Sequence, residues 1–435
     1  MNIIKPSTIA GVMELLPEEQ IVFDRFKYII EEKFKKYAFL PIETPLIEKD
    51  EILFAKGGGE TTKQIFRIDS NSKDMSLRFD LTVPLARYVS EHFSNLNFPF
   101  KRYQIAKVYR GERNQKGRYK EFYQCDIDII GNEHLSVYND AQLPAVIYEI
   151  FRELNFKDIQ FHINNRKLLN GFFESLGIKD TTEVLRIIDK LQKIGEDNVK
   201  SLLKEINLDE KKSQRLIDFI SDKSDNKSLL ESLKNRCDKE LFNEGLDELT
   251  KVYSYMLEFG IPDENIVIDL SITRGLDYYT STVYETFIKG YENIGSVCSG
   301  GRYDNLANNF SKQNLPGVGM SIGLTRLFYQ FSQLDLLKKF EENYLDALLI
   351  PMNEDCNFYL IDLLNELRDK KIKADIYLEK GKMKKKFNYA DKIGVKRVVI
   401  AGIDEKEMGK FSLRDMESGE QIIVNKEQLI ERLKG

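Results

Sequence analysis

The stretch KVYRGERNQKGRYKEFYQCDIDIIG, residues 107–131, tells most about the fold. It joins two runs rich in β-branched and aromatic residues, 102–110 and 122–130, which we predict as strands. Glycines and basic residues fill the connection, so the runs should form an antiparallel hairpin with a long basic loop. Arg110 would be held rigidly at the end of the first strand, and Arg118 would enter the second.

Outward from this hairpin, the pattern changes several times. Upstream, apolar residues at helical spacing predict an amphipathic helix over 21–37. Pro41 and Pro45 favour extended backbone over 39–48, because proline excludes helix at and before its own position. Further β-type runs are predicted at 64–68, 76–78, 266–271, 280–288 and 296–299. A helix is predicted after Gly323.

The middle and the end of the chain differ in character. Residues 168–258 are rich in lysine and glutamate with helical spacing, which indicates a helical insertion. Residues 334–343 are polar and linker-like. Beyond them, strands and helices alternate, which indicates a small α/β domain with a mainly parallel sheet. The predicted elements are strands at 347–350, 374–377 and 397–401 and helices at 358–369 and 383–393.

Composition narrows the class of protein. Hydrophobic residues make up 42% and charged residues 31%, the balance of a globular protein. No apolar run reaches the ~18 residues of a membrane span. The start of the chain lacks the pattern of a secretory signal. The four cysteines are far apart, which favours the reducing cytoplasm over a disulfide framework or zinc cluster.

The usual catalytic motifs are missing, which directs attention to arginine. None of the three histidines lies in a nucleophile or metal motif, and the glycines at 57–59 are not followed by the residues of a P-loop. Several arginines instead stand at strand ends or beside glycines. These are Arg110, Arg118, Arg274, Arg302 and Arg326. Converging guanidinium groups without a nucleophile or general base suit chemistry at a phosphate, driven by positioning and charge.

Short segments along the chain match the motifs of one enzyme family. In chain order they are 39–47, LRFDLTVP at 77–84, 100–131 with FYQCD at 122–126, RGLDYY at 274–279, GGRYD at 300–304 and 317–327. Segments 39–47, 100–131 and 317–327 are similar to the three signatures of class II aminoacyl-tRNA synthetases. The RGLDYY and GGRYD peptides resemble those that distinguish histidyl-tRNA synthetases, and the resemblance to this family runs nearly end to end.

The resemblance implies an architecture and a reaction. The fold would be an α+β catalytic core on an antiparallel sheet, with a helical insertion and a C-terminal α/β anticodon-binding domain. The implied bounds are 1–167 and 259–333 for the core, 168–258 for the insertion, 334–343 for the linker and 344–435 for the last domain. The reaction would activate L-histidine with ATP to histidyl-adenylate and transfer it to the 3′ end of tRNA(His).

The resemblance also implies a role for each matching position. For ATP, Arg110 would bind the α-phosphate, Glu112 the adenine edge and Phe122 the adenine ring by stacking, with Arg118 and Arg326 on the outer phosphates. For histidine, Asp80 and Thr82 would receive the α-amino group, with Gln124 beside them. Asp128 and Tyr279 would bracket the imidazole, and Tyr278 and Tyr303 would line the pocket. Arg274 would reach both the carboxylate of histidine and the α-phosphate of ATP. Arg110 and Arg274 would be the catalytic pair, because an ionised carboxylate attacks without a base and needs charge cancellation on phosphorus.

Nucleic acid and a second copy of the chain are the other implied partners. Lys384 and Lys385 lie in a basic run that resembles the anticodon-binding helix of the family, and Arg113 and Lys116 of the hairpin loop are further candidates for tRNA contact. Leucine and glutamine usually flank the lysine pair, whereas this chain has Met383 and Lys386. Mg²⁺ is expected with the β- and γ-phosphates, with unknown ligands. Segment 39–47 resembles a dimer-interface strand, so a homodimer is expected.

Three alternatives stay open at this point. The first is a non-catalytic paralogue, such as the regulatory subunit of ATP phosphoribosyltransferase. That family typically lacks both the C-terminal domain and the arginine peptide, and both are present here. The second is an RNA-binding or stress-sensing module, against which Arg110, Gln124 and Arg274 argue. The third is a class II ligase for another amino acid, which Asp128 and the tyrosine pair make less favourable.

Overall fold

The computed structural model describes residues 3–55, 61–69, 74–112, 117–178, 181–188, 191–272, 279–340 and 344–434. The chain divides into two compact units, Met1–Leu16 with Phe23–Leu337 and Pro17–Val22 with Lys338–Gly435. Across the described ranges, the helices are too short or too polar to cross a membrane.

The part of the chain before residue 337 contains one large sheet and many helices. Its strands are β1 Leu40–Pro41, β2 Ile47–Lys49, β3 Met75–Leu77, β4 Phe100–Tyr109, β5 Glu121–Ile130, β6 Ile159–Asn165, β7 Ile266–Ile268, β8 Thr282–Ile288, β9 Cys298–Tyr303 and β10 Gly317–Gly323. Its helices are α1 Pro17–Lys36, α2 Asp50–Phe54, α3 Thr61–Gln64, α4 Thr82–Glu91, α5 Tyr138–Glu153, α6 Arg166–Ser175, α7 Thr181–Ile188, α8 Leu191–Ile194, α9 Glu196–Glu205, α10 Glu210–Ile220, α11 Asn226–Leu233, α12 Glu240–Glu258 and α13 Leu324–Gln333.

The large sheet has eight strands in the order β1-β4-β5-β10-β9-β8-β6-β7. The pairs β1–β4 and β6–β7 at its two edges are parallel, and all pairs between them are antiparallel. The hairpin predicted from residues 107–131 is confirmed, since β4 and β5 pair from Phe100 opposite Ile130 to Tyr109 opposite Glu121. The expected antiparallel core is therefore present.

Strand β5 lies inside this sheet and separates two environments. Its odd-numbered residues Cys125, Ile127 and Ile129 are fully buried, and helices α5 and α13 pack against the strand. Its even-numbered residues from Gln124 to Asp128 are polar and point to the opposite face, because successive strand side chains alternate. That alternation places three polar side chains in a row on one face.

Three predicted strands differ from the structure, and the one predicted at 266–271 is only half as long, as β7 Ile266–Ile268. Residues 64–68 do not form a strand: α3 ends at Gln64, and only an isolated bridge joins Arg67 to Ser76. Ile65 is instead buried in a small cluster with Leu53 and Phe79, so its apolar character serves local packing. The strand predicted at 296–299 begins later, as β9, and continues to residue 303.

The helical segment is confirmed, since α6 to α12 follow one another between β6 and β7. Helix α12 packs against both α6 and α5. Through α12, the helical insertion therefore packs against α5, and α5 itself packs against the large sheet.

The second unit contains an α/β arrangement of its own. Its elements are β11 Ala347–Pro351, α14 Asn357–Asp369, β12 Ala374–Ile376, α15 Met383–Lys392, β13 Arg397–Ala401, α16 Ile403–Glu407, β14 Phe411–Asp415, β15 Gln421–Val424 and α17 Lys426–Lys434. The five strands have the order β12-β11-β13-β14-β15. The first three are parallel as predicted, but β14 and β15 add an antiparallel hairpin that the prediction of a mainly parallel sheet missed.

Candidate active site

A cleft of about 830 Å³ lies over the polar face of the large sheet in the first unit. Its floor comes from β5, β10, β9, β8 and β6, whose paired positions carry side chains on the same face. One continuous row runs across the strands from Asp126 through Ser321, Ser299 and Glu285 to His162. All five of these residues line the cleft, which makes its floor strongly polar.

Arg110 follows directly after β4 and reaches into the cleft. Its guanidinium lies 4.4 Å from the centre of the Phe79 ring and 5.0 Å from that of Phe122. Its Nε donates to the Phe79 carbonyl at 3.2 Å. The two rings and the carbonyl fix the position of the Arg110 side chain. Within the described ranges Arg110 forms no direct ion pair with a carboxylate, so its charge stays available to a ligand.

Arg118 and Arg326 approach each other on another wall of the cleft. The Arg326 guanidinium donates to the Ile294 carbonyl at 2.9 Å. Burial, together with the neighbouring Arg118 charge, lowers the pKa of Arg326. Arg118 is half exposed and lies 3.4 Å from a Glu112 oxygen. Two neighbouring cations favour a polyanion, the role implied for the outer phosphates, although the carboxylates of Glu112 and Glu285 offset part of their charge.

Asp80 and Thr82 lie at the start of α4, and both line the cleft. Asp80 is buried, and one of its oxygens accepts from the Val83 amide at 3.0 Å. Burial raises the pKa of Asp80, while the amides at the helix start and the charge of Arg110 act in the opposite direction. The helix start thus holds an enclosed carboxylate ready to pair with a cationic group.

Each carboxylate oxygen of Asp128 has a partner in the protein. Its Oδ2 lies 2.6 Å from a guanidinium nitrogen of Arg102, and its Oδ1 accepts from the Tyr303 hydroxyl at 2.6 Å. A side chain at position 319 would overlap Oδ1 of Asp128, so Gly319 is needed for this carboxylate to fit. Burial raises the pKa of Asp128, opposed by the Arg102 charge.

Gln124 and Tyr279 also line the cleft. The Gln124 amide donates to the Ser321 hydroxyl at 2.8 Å, and its Oε1 is buried without a hydrogen-bond partner among the described residues. The ring of Tyr279 packs so close to Gly301 that a Cβ there would overlap it. A glycine in the GGRYD peptide thus makes room for an aromatic ring of the RGLDYY peptide.

Most of the predicted site residues therefore meet in one cleft. Those brought together are Asp80, Thr82, Arg110, Glu112, Arg118, Phe122, Gln124, Asp128, Tyr279, Tyr303 and Arg326. Four predicted residues lie outside the described residues, namely Arg113, Lys116, Arg274 and Tyr278.

Arg302 differs from the other arginines that stand beside glycines, because its guanidinium is engaged in a buried ion pair. Its guanidinium pairs with Asp140 of α5 through Nε and Nη2, at distances of 2.5–3.2 Å. Asp140 also accepts from the Thr282 hydroxyl at 2.7 Å, and all three side chains are buried. The pair joins β9, α5 and β8, so the arginine of GGRYD is structural.

Among the residues that escaped the sequence analysis are Asp126, which lines the cleft, and Arg102, which pairs with Asp128. Asp126 could have been found, because it shares its face of β5 with Gln124 and Asp128 at a spacing of two. Arg102 lies opposite Asp128 on β4, and only knowledge of the register reveals it. His162 also lines the cleft, with its Nδ1 2.8 Å from Asp269, although its surroundings in the sequence gave no signal.

The lysine pair of the second unit lies on α15. Lys384 and Lys385 are exposed, whereas Lys386 is buried and donates to the Pro351 carbonyl at 2.7 Å. Burial lowers the pKa of Lys386. Phe387 packs against the core of this unit, as predicted, while Tyr389 is 39% exposed beside Tyr377.

Comparison with known proteins agrees with this geometry over the whole chain. The family model described as histidyl-tRNA synthetase matches residues 11–327, and the one described as anticodon binding domain matches residues 346–435. A histidine–tRNA ligase from Finegoldia magna is 57% identical over 432 residues, covering 99% of this chain and 100% of that protein. One from Clostridium tetani is 53% identical, covering 100% and 99%. The crystal structure of a histidyl-tRNA synthetase from Nostoc superposes with a TM-score of 0.90 at 39% identity, covering 99% of each chain.

The antiparallel sheet, the arginine-lined cleft and the separate anticodon-binding unit together define a class II aminoacyl-tRNA synthetase. Within that class, the chain belongs to the histidyl-tRNA synthetase family. The full-length matches support this over the regulatory-subunit alternative.

Proposed function

We propose that the cleft activates L-histidine with ATP and then loads it onto tRNA(His), as a histidine–tRNA ligase. The observation that carries the proposal is Arg110, fixed between Phe79 and Phe122 and free of any direct ion pair with a described carboxylate. Such a guanidinium suits a reaction at phosphorus, where negative charge accumulates in the transition state.

In the first step, a carboxylate oxygen of histidine forms a bond to the α-phosphorus of ATP. The bond from that phosphorus to the bridging oxygen breaks, and diphosphate leaves. Arg110 would stabilise the α-phosphate from one side and Arg274 from the other, while Arg118 and Arg326 would hold the outer phosphates. The attacking carboxylate is already ionised near pH 7, so orientation and charge cancellation supply the catalysis.

Selection of histidine would rest on the enclosed polar wall. Asp80 and Thr82 would receive the α-amino group beside Gln124, and Asp128, Tyr279, Tyr278 and Tyr303 would surround the imidazole. A site built to hydrogen-bond its substrate rejects analogues that leave those groups unpaired, by about 10⁴-fold or more.

In the second step, a terminal ribose hydroxyl of tRNA(His) attacks the activated carbonyl and AMP leaves. Lys384 and Lys385 would contact the anticodon arm, and Arg113 and Lys116 the acceptor end. Mg²⁺ would arrive with the nucleotide phosphates, which commonly hold it through few protein ligands. That route fits the described residues, among which no group of three or more potential ligands could hold a metal ion.

A homodimer in the cytoplasm completes the proposal. The segment that resembles the dimer strand exposes Leu40, Leu46 and Ile47, which a partner could cover. All four cysteines are free, as a reducing compartment favours. We expect sedimentation at about micromolar concentration to give the mass of a dimer; a monomer would contradict this part.

The decisive experiment is amino-acid-dependent exchange between ATP and labelled diphosphate. We expect exchange with histidine and none above background with the other amino acids. Exchange with a different amino acid would indicate another class II ligase. No exchange with any amino acid, from a folded protein, would favour a binding or regulatory role.

A further inference from the structure

Residues 269–272 follow β7 and form part of the cleft wall. Asp269, Ser271 and Ile272 all line the cleft. Arg274 comes two residues after Ile272 in the chain and itself lies outside the described residues. Because a chain advances at most about 3.6 Å per residue, the backbone at Ile272 limits where the backbone of Arg274 can lie. A contact that fixes the segment 269–272 therefore also restricts the arginine that follows it.

The backbone of this segment is hydrogen-bonded to β6. The Asp269 amide donates to the Ile163 carbonyl at 3.0 Å. The Asn164 side chain is fully buried and donates to the carbonyls of Leu270 and Ile272, at 3.2 and 3.0 Å. Strand β6 thus anchors the main chain immediately before the arginine peptide.

His162, also on β6, holds the same segment through a side chain. Its Nδ1 lies 2.8 Å from one carboxylate oxygen of Asp269. The other oxygen accepts from the amide of Ser271 at 3.0 Å and from its hydroxyl at 2.6 Å. Burial disfavours the ionised form of Asp269, but the hydrogen bonds from His162 and Ser271 outweigh it and lower the pKa of this carboxyl. Asp269 is therefore ionised near pH 7, and the Nδ1 of His162 donates to it.

The residues that follow the arginine peptide are fixed as well. The Thr280 amide donates to the Arg302 carbonyl at 2.8 Å, and the Thr280 hydroxyl donates to Asp304. The ring of Tyr279 packs closely against Gly301. The chain is therefore anchored to β6 before Arg274 and to β9 after it.

His162 is the anchor that a substitution disturbs least. Of its side chain, 22% is exposed, whereas Asn164 is fully buried. The His162 ring packs edge-on against Phe287, with ring centres 4.9 Å apart, so an apolar replacement keeps a neighbour. Loss of the donor at Nδ1 can therefore be separated from loss of the fold.

We propose that His162 is a positioning residue of histidine activation: by holding Asp269 it fixes the start of the arginine peptide, so that Arg274 reaches the α-phosphate in the transition state. The proposal rests on the proposed function, which gives Arg274 that role. His162 itself moves no proton in this step, because the attacking carboxylate is already ionised.

The test is the variant His162→Leu, measured by histidine-dependent ATP–diphosphate exchange. Misplacing a catalytic group by ~1 Å costs about 100-fold, so we expect kcat to fall about 10- to 100-fold. The KM for ATP should stay that of the wild type, because Arg118 and Arg326 are untouched. A wild-type kcat in the folded variant would overturn the proposal.

Two further variants show whether the hydrogen bond is responsible. His162→Asn places an amide N–H near the position of Nδ1 and should recover most of the rate; a rate as low as that of His162→Leu would overturn the proposal. His134→Leu makes the same change at an exposed histidine between β5 and α5. We expect its kcat to equal that of the wild type, and an equal loss in both leucine variants would mean that the effect is general.

A double-mutant cycle shows whether His162 acts through Arg274. Residues that act as one unit give non-additive losses, whereas independent residues give additive ones. Once Arg274→Ala has removed the guanidinium, we expect His162→Leu to slow single-turnover formation of the adenylate little further. A full additional 10- to 100-fold loss in the double variant would show that His162 acts by another route and would overturn the proposal.

The two proposals fail differently in these assays. A normal rate in His162→Leu, with a large loss in Arg274→Ala, would refute only the positioning role. A normal rate in Arg274→Ala would remove Arg274 from the mechanism and the positioning role with it. Absence of exchange in the wild type would refute the proposed function itself.

Discussion

At the scale of single residues, Arg110 combines a fixed position with an available charge. Its guanidinium is stacked against Phe79 and Phe122 and anchored through Nε to a carbonyl. Removing a preorganised donor at a developing charge lowers the rate by about 10²–10³-fold. We expect Arg110→Ala to lower kcat/KM for ATP by at least that factor in diphosphate exchange.

Arg110→Lys distinguishes charge from geometry. Lysine keeps the charge but lacks the planar fork and stacks poorly on two rings, so we expect it to recover only a small part of the lost rate. The exposed Arg152 of α5 provides the control, and Arg152→Ala should behave as the wild type. An Arg110→Ala enzyme with normal kcat/KM would remove Arg110 from the mechanism.

The residues of this site show what the sequence can and cannot reveal. The period of two along β5 is visible in the sequence and places Gln124, Asp126 and Asp128 on one face. The partner of Asp128 is not visible, because Arg102 becomes its neighbour only through the register of β4. The same holds for Arg302, whose partner Asp140 is far along the chain.

At the scale of secondary-structure elements, the Arg302–Asp140 pair joins β9 to α5 beneath the cleft. Both side chains are almost fully enclosed, and Thr282 of β8 adds a hydrogen bond to the same carboxylate. Removing the arginine would leave Asp140 buried and without its cation, a change that costs about 3–5 kcal/mol.

We therefore expect Arg302→Leu to reduce the free energy of unfolding by about that amount, measured by urea denaturation. At a temperature where the variant stays folded, its KM for ATP should match the wild type, because the side chain is structural. Lys251→Ala, which breaks the exposed pair with Asp247, should leave the free energy of unfolding close to that of the wild type. A specific rise in the KM for ATP would instead return Arg302 to the phosphate site.

A strand could be predicted from the sequence where its own alternating residues and those of a neighbouring segment both indicate extended, paired backbone. The β4–β5 hairpin has alternating residues on both strands, and its prediction is confirmed. Residues 64–68 carry apolar residues but pair with β3 only through the bridge from Arg67 to Ser76, and Ile65 packs in a local cluster. The β14–β15 hairpin lies at the edge of the second sheet, after the alternating strands and helices that guided the prediction.

At the scale of the whole molecule, the cleft and the lysine pair lie in different compact units. Histidine activation needs only ATP and histidine, whereas transfer also needs bound tRNA. Changes on α15 should therefore separate the two reactions. Lys384 and Lys385 are the exposed members of its basic run, while Lys386 is buried against the Pro351 carbonyl and unsuited to contact phosphate.

We expect Lys384→Ala/Lys385→Ala to leave ATP–diphosphate exchange unchanged and to weaken tRNA(His) binding. Each lost phosphate contact should lower the slope of log affinity against log salt by about 1, which titration at several salt concentrations measures. Lys370→Ala/Lys373→Ala removes two exposed lysines after α14 in the same unit and should change neither property. If both double variants weaken binding with equal slopes, the effect is one of net charge. If only the α15 variant does, then α15 binds the nucleic acid, because a local contact and not a diffuse field then sets the affinity.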